Sequence, residues 1–225
     1  MSPLFVTFEG LDGSGKTTHL RRAAERLRAR GVPLCCTHEP GGTPLGDALR
    51  DLFKDRRWPH LDGRVEILLL FASRRQHLLE VIDPALAAGR HVLCDRFTDS
   101  TLAYQGAGHG VAEESIRAVD VLATGERRPD RTLLFDLEPE QARARRLASS
   151  RKPGAAPPDR LDDRDLDFYR RVRAGYLELA RRDPDRFVLI DARGEREETA
   201  AQVAAALADL EAPADPAAST AEVSR

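Results

Sequence analysis

The residues with the plainest chemistry lie near the start of the chain. Gly10 is followed by four residues and then by Gly15-Lys16-Thr17, the G-x-x-x-x-G-K-[ST] spacing of a phosphate-binding loop. Glycines at these positions let successive backbone N–H groups turn onto phosphate oxygens, and a following helix N-terminus adds partial positive charge. Gly10, Gly13, Ser14, Gly15, Lys16, Thr17 and Thr18 are therefore the candidate contacts for a nucleoside triphosphate. Lys16 reaches the β- and γ-phosphates, and the Thr17 hydroxyl suits Mg²⁺. Further along stand three more polar groups: Glu39 in a Pro-Gly-Gly loop, Asp95-Arg96, and an arginine-rich stretch containing Arg143, Arg145, Arg146, Arg151 and Arg160. Guanidinium forks pair bidentately with phosphate oxygens, so these residues point the same way.

Such groups need a frame. Leu4, Val6 and Phe8 alternate with Phe5 and Thr7 as a buried strand does, and Lys16–Arg30 carries Leu20, Ala23, Ala24 and Leu27 on one helical face. Val32–Thr37, Arg90–Cys94, Thr132–Phe135 and Arg186–Ile190 read as four further strands. Between them the predicted helices are Asp47–Phe53, a long helix from an Asp62 cap to about Ala88 with a kink or break at Asp83-Pro84, Thr98–Gln105, Glu113–Thr124, Pro139–Ala148, Asp165–Arg182 and Glu195–Leu210. In Glu113–Thr124, Val119 and Leu122 are expected to face inward. Alternating strands and helices imply an α/β fold, a doubly wound five-stranded parallel sheet flanked by helices with ligands at the carboxyl ends of the strands. The phosphate loop, Glu39, Asp95-Arg96 and Asp191-Ala192-Arg193 all fall at that edge.

Composition sets bounds. The 225 residues suit one domain, with 41% hydrophobic and 32% charged residues and a net charge of −2. No large basic balance favours nucleic acid or a membrane surface, and no apolar run has the length of a membrane span, so the expected location is the cytoplasm. Cys35, Cys36 and Cys94 lie in strand-like runs without metal-ligand spacing and read as small hydrophobes. Residues 1–211 form the expected folded domain. Ala212–Arg225 lacks the bulk to offset its ordering entropy and reads as a disordered tail.

At Asp95 the pattern becomes specific. Phe8-Glu9-Gly10-Leu11-Asp12-Gly13-Ser14-Gly15-Lys16-Thr17-Thr18, Glu39-Pro40-Gly41-Gly42-Thr43, Asp95-Arg96-Phe97 and Ala103-Tyr104-Gln105-Gly106 together resemble the thymidylate kinases, a family of P-loop nucleoside monophosphate kinases. The resemblance runs from about Phe5 to about Leu210, and it implies that residues 1–211 are a P-loop kinase domain with a lid at about 142–164 that includes the proline-rich Lys152–Pro158. It implies transfer of the γ-phosphoryl of ATP to dTMP with Mg²⁺, by a homodimer whose subunits pair through long helices.

Site roles come with that resemblance. It places Phe71 and Arg75, four apart on one helix face, against the thymine, and Thr101 and Gln105 on the pyrimidine edge, with Ser100 beside them. Tyr104 lies against the deoxyribose, Arg50 and Arg96 hold the acceptor phosphate, and Asp12 approaches the sugar 3′-hydroxyl. Asp95 organises metal-bound water next to Thr17, Glu39 works near the acceptor, and Arg193 stacks on the adenine side. Gly13-Ser14 replaces the loop arginine of some relatives, which implies the subtype whose catalytic arginine comes from the lid: Arg143, Arg146, Arg151 or Arg160, with Arg151 first. His38 stands where an Arg is common, and Phe97 where Tyr or His is common. Alternatives are another deoxynucleotide or deoxynucleoside kinase and, from a different class, a P-loop ATPase switch; no Asn-Lys-x-Asp guanine signature is present.

Overall fold

The computed structural model describes residues 2–151 and 160–211. The expected lid insert Lys152–Pro158 and the expected tail Ala212–Arg225 lie outside the described residues. Five strands, β1 (Phe5–Gly10), β2 (Leu34–His38), β3 (His91–Asp95), β4 (Arg131–Asp136) and β5 (Phe187–Asp191), form one parallel sheet in the order β2-β3-β1-β4-β5. Helices follow each strand: α1 (Lys16–Ala29), α2 (Pro44–Lys54), α3 (Gly63–His77), α4 (Asp83–Ala87), α5 (Thr98–Thr101), α6 (Glu113–Thr124), α7 (Pro139–Ser150), α8 (Leu166–Arg182) and α9 (Arg196–Ala206). The expected doubly wound sheet is the observed one.

Strand β1 is buried along its whole length, as the central strand of a sheet covered on both faces must be. Val6 and Phe8 join the core with Leu20, Ala24 and Leu27 of α1 and Val172 and Tyr176 of α8, while Phe5 packs on the opposite face with Leu78, Ile82 and Phe97. From β1 the chain crosses toward β2, and from the adjacent β3 it crosses the other way, to β4. The crevice at the carboxyl ends of β1 and β3 is therefore the topological switch point, where such sheets bind ligands. Register pairs Phe8 with Asp95 and His38 with Asp95, so the three strand ends come together.

Several local readings are corrected. Helix α2 begins at Pro44, three residues before the expected start, because Thr43 caps it by accepting from the Gly46 N–H at 3.0 Å and proline suits the first helical turn. The irregularity expected at Asp83-Pro84 falls just ahead of it: a π-helical turn, Leu78–Ile82, joins α3 to α4, absorbing the register change that a residue without an N–H imposes. A second π-helical segment, Leu102–Gly108, extends α5 beyond the expected end. Helix α8 lies close against it: a Cβ on Gly175 would come within 2.6 Å of the Ala107 Cβ, and one on Gly108 within 2.7 Å of the Phe168 ring. On α6, Leu122 points outward at 85% exposed, and Ile116, Asp120 and Ala123 take the inward face. Cys94 is buried as expected, whereas Cys35 and Cys36 are half-buried.

Candidate active site

The phosphate loop runs from β1 into α1 as its spacing requires. Gly13 has φ +92°, and a Cβ there would lie 2.2 Å from the Ala142 carbonyl oxygen of α7, so the loop is pressed against the helix that bears the arginine cluster. Lys16 is nearly buried, with Nζ donating to the Leu11 carbonyl and to Asp12 Oδ1, each at 3.3 Å. Burial, and then the Arg96 charge, lower the Lys16 pKa from its ordinary value.

Asp12 gathers three cations: Arg96 Nη2 at 2.8 Å, Arg146 Nη1 at 3.2 Å and Lys16 Nζ at 3.3 Å. Burial works to raise its pKa, but Arg96, Lys16 and Arg146 hold the carboxyl well below the usual carboxylate range. Arg96 itself sits at φ 75°, a left-handed conformation costly for a residue with a Cβ. Its guanidinium donates to Ser100 Oγ (2.9 Å), Tyr176 Oη (3.2 Å), Tyr104 Oη (3.2 Å) and Asp12, and lies 4.9 Å from the Tyr104 ring centre. Behind it Glu9, 0% exposed, accepts from the Phe97 N–H (2.7 Å), Ser100 Oγ (2.5 Å) and Tyr176 Oη (2.9 Å). Glu9 belongs to the phosphate-loop motif, yet motif spacing alone did not mark its side chain as the prop beneath Arg96.

Thr17 Oγ1 donates to Asp95 Oδ2, and Asp95 Oδ1 is buried without a hydrogen-bond partner among the described residues. A hydroxyl next to a half-satisfied carboxylate is an all-oxygen donor pair. It suits Mg²⁺, which binds through one or two protein oxygens and keeps water and phosphate for its other positions.

A cavity of about 500 Å³ opens beside the loop, within the usual range for small-molecule sites. Asp12, Lys16 and Thr17 form one end. Glu39, Arg50, Arg74, Asp95 and Arg96 contribute charged groups to its lining, which also includes Leu70, Phe97, Thr101, Tyr104, Gln105 and Phe168. Arg50 donates to the Pro40 carbonyl at 2.8 Å.

Helix α3 differs from the expected register by one residue. Leu70 and Arg74 line the cavity; Phe71 and Arg75 do not. Phe71 is 1% exposed, packed with Ile67, Leu102 and Ile116, and Arg75 turns away to donate to the Ala123 carbonyl of α6 at 3.5 Å. Arg74 donates from Nε to Glu39 Oε2 (2.7 Å) and from Nη2 to Thr101 Oγ1 (3.2 Å), while its guanidinium stacks over Phe71 (4.5 Å) and Phe97 (5.0 Å). Both pairs are four apart, and α3 is apolar around much of its circumference, so spacing could not separate them. Glu39 also accepts from His77 Nδ1 at 3.0 Å, with the far ring nitrogen against Thr37 Oγ1. Burial opposes ionisation of Glu39, but Arg74 and His77 bring its pKa below the ordinary value.

Among the arginines expected from the lid, Arg146 lines the cavity. Arg151 is the exposed C-cap of α7 and Arg143 is exposed. Arg160 is buried elsewhere, pairing with Glu66 at 2.7 Å. Arg193 is exposed and paired with Asp191 at 2.8 Å outside the cavity, on a loop tied to α7 by Arg145 donating to the Ala192 carbonyl at 2.8 Å.

The sequence matches the thymidylate kinase family over residues 8–203. The chain belongs to that family. It is 47% identical over 214 residues to a thymidylate kinase from Ralstonia nicotianae, covering 93% of this chain and 100% of the relative. A thymidylate kinase from Chromobacterium violaceum is 49% identical over 189 residues, 84% of this chain and 85% of that one. The crystal structure of a thymidylate kinase from Ehrlichia chaffeensis superposes with a TM-score of 0.74 at 34% identity, covering 92% of this chain and 100% of the other. Family membership places the five-stranded parallel sheet and its loop among the P-loop nucleoside monophosphate kinases.

Proposed function

We propose that the chain transfers the γ-phosphoryl group of ATP to dTMP, giving dTDP and ADP on the route to dTTP. The observation that carries this reading is the Asp12–Arg96 pair at 2.8 Å, which joins the phosphate loop to an arginine-lined cavity of a size for one nucleotide. A hydrolytic switch has no need of such a second site.

The chemistry asks for positioning and positive charge rather than a base. The acceptor is a phosphate monoester whose second pKa is about 6, so its oxygen is already ionised near neutrality. Two anions must approach while charge spreads over the transferred group. Lys16 and the loop N–H groups hold the donor triphosphate, and Arg96 and Arg50 the acceptor phosphate. Arg146 is the lid arginine best placed to bridge them, because it already reaches Asp12. Mg²⁺, held by Thr17 and through water by Asp95, supplies further charge neutralisation when bound.

For the acceptor base, Leu70 offers the apolar face, and Arg74, Thr101 and Gln105 the polar edge. The Tyr104 ring, pinned under Arg96, stands where a sugar 2′-hydroxyl would crowd it. Arg193 is the candidate for the adenine side. Association into a homodimer is supported by an apolar stripe on α3 that includes Val65 (43% exposed) and Leu68 (59% exposed). Among the described residues no helix is long and apolar enough to cross a membrane, and a cytoplasmic enzyme is the reading we adopt.

A coupled ADP-release assay across dTMP, dUMP, dCMP, dGMP and thymidine tests the assignment. Preference for dTMP is expected; faster turnover of thymidine than of dTMP defeats it. ATP hydrolysis that is indifferent to any acceptor points to the switch instead.

A further inference from the structure

Glu66 has no part in phosphate chemistry, yet it is 0% exposed and meets donors on every side. Its Oε2 accepts from Gln105 Nε2 at 2.8 Å, with His109 Nε2 at 3.5 Å from the same oxygen. Its Oε1 accepts from Arg160 Nη1 at 2.7 Å and has Arg164 Nη2 at 3.8 Å. Arg160 is held in turn by the Phe53 carbonyl and by the Phe53 ring, 4.6 Å from its guanidinium. The carboxylate is thus fixed from behind, and among the described residues Gln105 is its one contact that also belongs to the candidate base edge.

That contact has a sense. A carboxamide can be turned either way round, and the turn decides whether a cavity wall offers a donor or an acceptor. A carboxylate accepts only, so Glu66 takes the NH₂ end of Gln105 and leaves Oε1 as the group available to a ligand. Arg74, on the same cavity, supplies the complement: its Nη1 is buried with no hydrogen-bond partner among the described residues. One acceptor and one donor match a ring N–H beside a carbonyl, the imide edge of thymine or uracil. Cytosine offers a bare ring nitrogen beside an amino group and would set acceptor against acceptor and donor against donor.

Resting on the reading of this cavity as the acceptor-nucleotide site, we propose that Glu66 is a positioning residue that turns the Gln105 amide oxygen toward the base, so that the site takes imide pyrimidines and refuses aminopyrimidines. Glu66→Gln, nearly isosteric, can present a donor to Gln105 and lets its amide reverse. The measurement is kcat/KM for dTMP and for dCMP in wild type and variant. A fall of at least about tenfold in the dTMP:dCMP ratio, carried mainly by KM for dTMP, is expected from one inverted hydrogen bond at a buried edge. An unchanged ratio with both rates lowered together is the mark of a merely structural residue and overturns the proposal. If the variant does not fold, N3-methyl-dTMP decides on the wild-type enzyme. Loss of at least about tenfold relative to dTMP supports an acceptor at Gln105, and turnover within about twofold of dTMP overturns it. Failure of the underlying reading is visible separately, as a wild-type enzyme that does not phosphorylate dTMP at all.

Discussion

Arg74 and Glu39, thirty-five positions apart in the chain, meet at 2.7 Å with both side chains almost fully buried. The pair ties α3 to the loop after β2, and it lies in the wall of the cavity beside the phosphate loop rather than in the hydrophobic core. The guanidinium also lies over two aromatic rings, 4.5 Å from the Phe71 centre and 5.0 Å from that of Phe97. Desolvating two charges is costly, and their attraction alone seldom repays it. His77 on Glu39 and Thr101 on Arg74 satisfy more of the lone pairs and protons, leaving Nη1 without a hydrogen-bond partner among the described residues. A ligand carbonyl is the natural group to complete the set.

The first prediction separates the two arginines of α3. Arg74→Lys loses the planar fork and should raise KM for dTMP about tenfold or more, with a smaller effect on KM for ATP. Arg75→Ala should leave KM for dTMP within about twofold, since its contact is to an α6 carbonyl. Steady-state kinetics with each substrate varied in turn decide it; the reverse pattern would restore the register that the resemblance implied.

Lys16→Met should lower kcat by about 10² to 10³ while dTMP affinity changes only a few-fold. In the proposed mechanism the lysine holds the donor phosphates, and its loss also leaves Asp12 with Arg96 and Arg146. Comparing single-turnover rates with dTMP binding measured calorimetrically isolates the two effects. Near-normal turnover would remove Lys16 from the mechanism.

The lid arginine can be assigned by two substitutions. Arg146→Ala should cut kcat by at least about 10² with both KM values within a few-fold, because charge on the transferred group is what it would neutralise. Arg151→Ala should stay within about threefold of wild type by the same reasoning. If Arg151→Ala is the crippled enzyme, the α7 C-terminus carries the charge and Arg146 only steadies Asp12.

Glu9 makes a prediction about pH. Burial, with Asp99 beside it, pushes its carboxyl up from 4.5 to about 7. The folded state then holds this proton across a range in which the unfolded state has lost it. Its contribution to stability is accordingly greatest below about pH 4.5 and declines as pH rises toward about 7, by roughly 3 kcal/mol in all. Half-buried histidines such as His109 and His38, whose pKa values burial lowers, tilt the other way through the same region. The clean quantity is therefore the difference between wild type and Glu9→Gln. Urea midpoints at about pH 5 and about pH 8 should show the wild type losing ground relative to Glu9→Gln as pH rises. Parallel curves would show that Glu9 titrates normally.

Much of this protein was determined by order along the chain. The glycine spacing from Gly10 to Lys16 needs a strand before it and a helix after it, and alternating strands and helices leave little choice but a parallel sheet with its polar loops at one edge. These are local requirements of backbone geometry, so the residues that meet them can be read one after another. Which of two adjacent residues on α3 faces the ligand was a different kind of question. Leu70 with Arg74 and Phe71 with Arg75 have the same spacing, and a helix apolar on several sides has no periodicity to choose between them. Only the packing of Phe71 against Ile67, Leu102 and Ile116, and the burial of Arg74 against Glu39, rotated α3 to its final setting. The same holds for Glu9 under Arg96 and Glu66 behind Gln105, whose partners are brought to them from distant parts of the chain by the closing of the sheet and its helices.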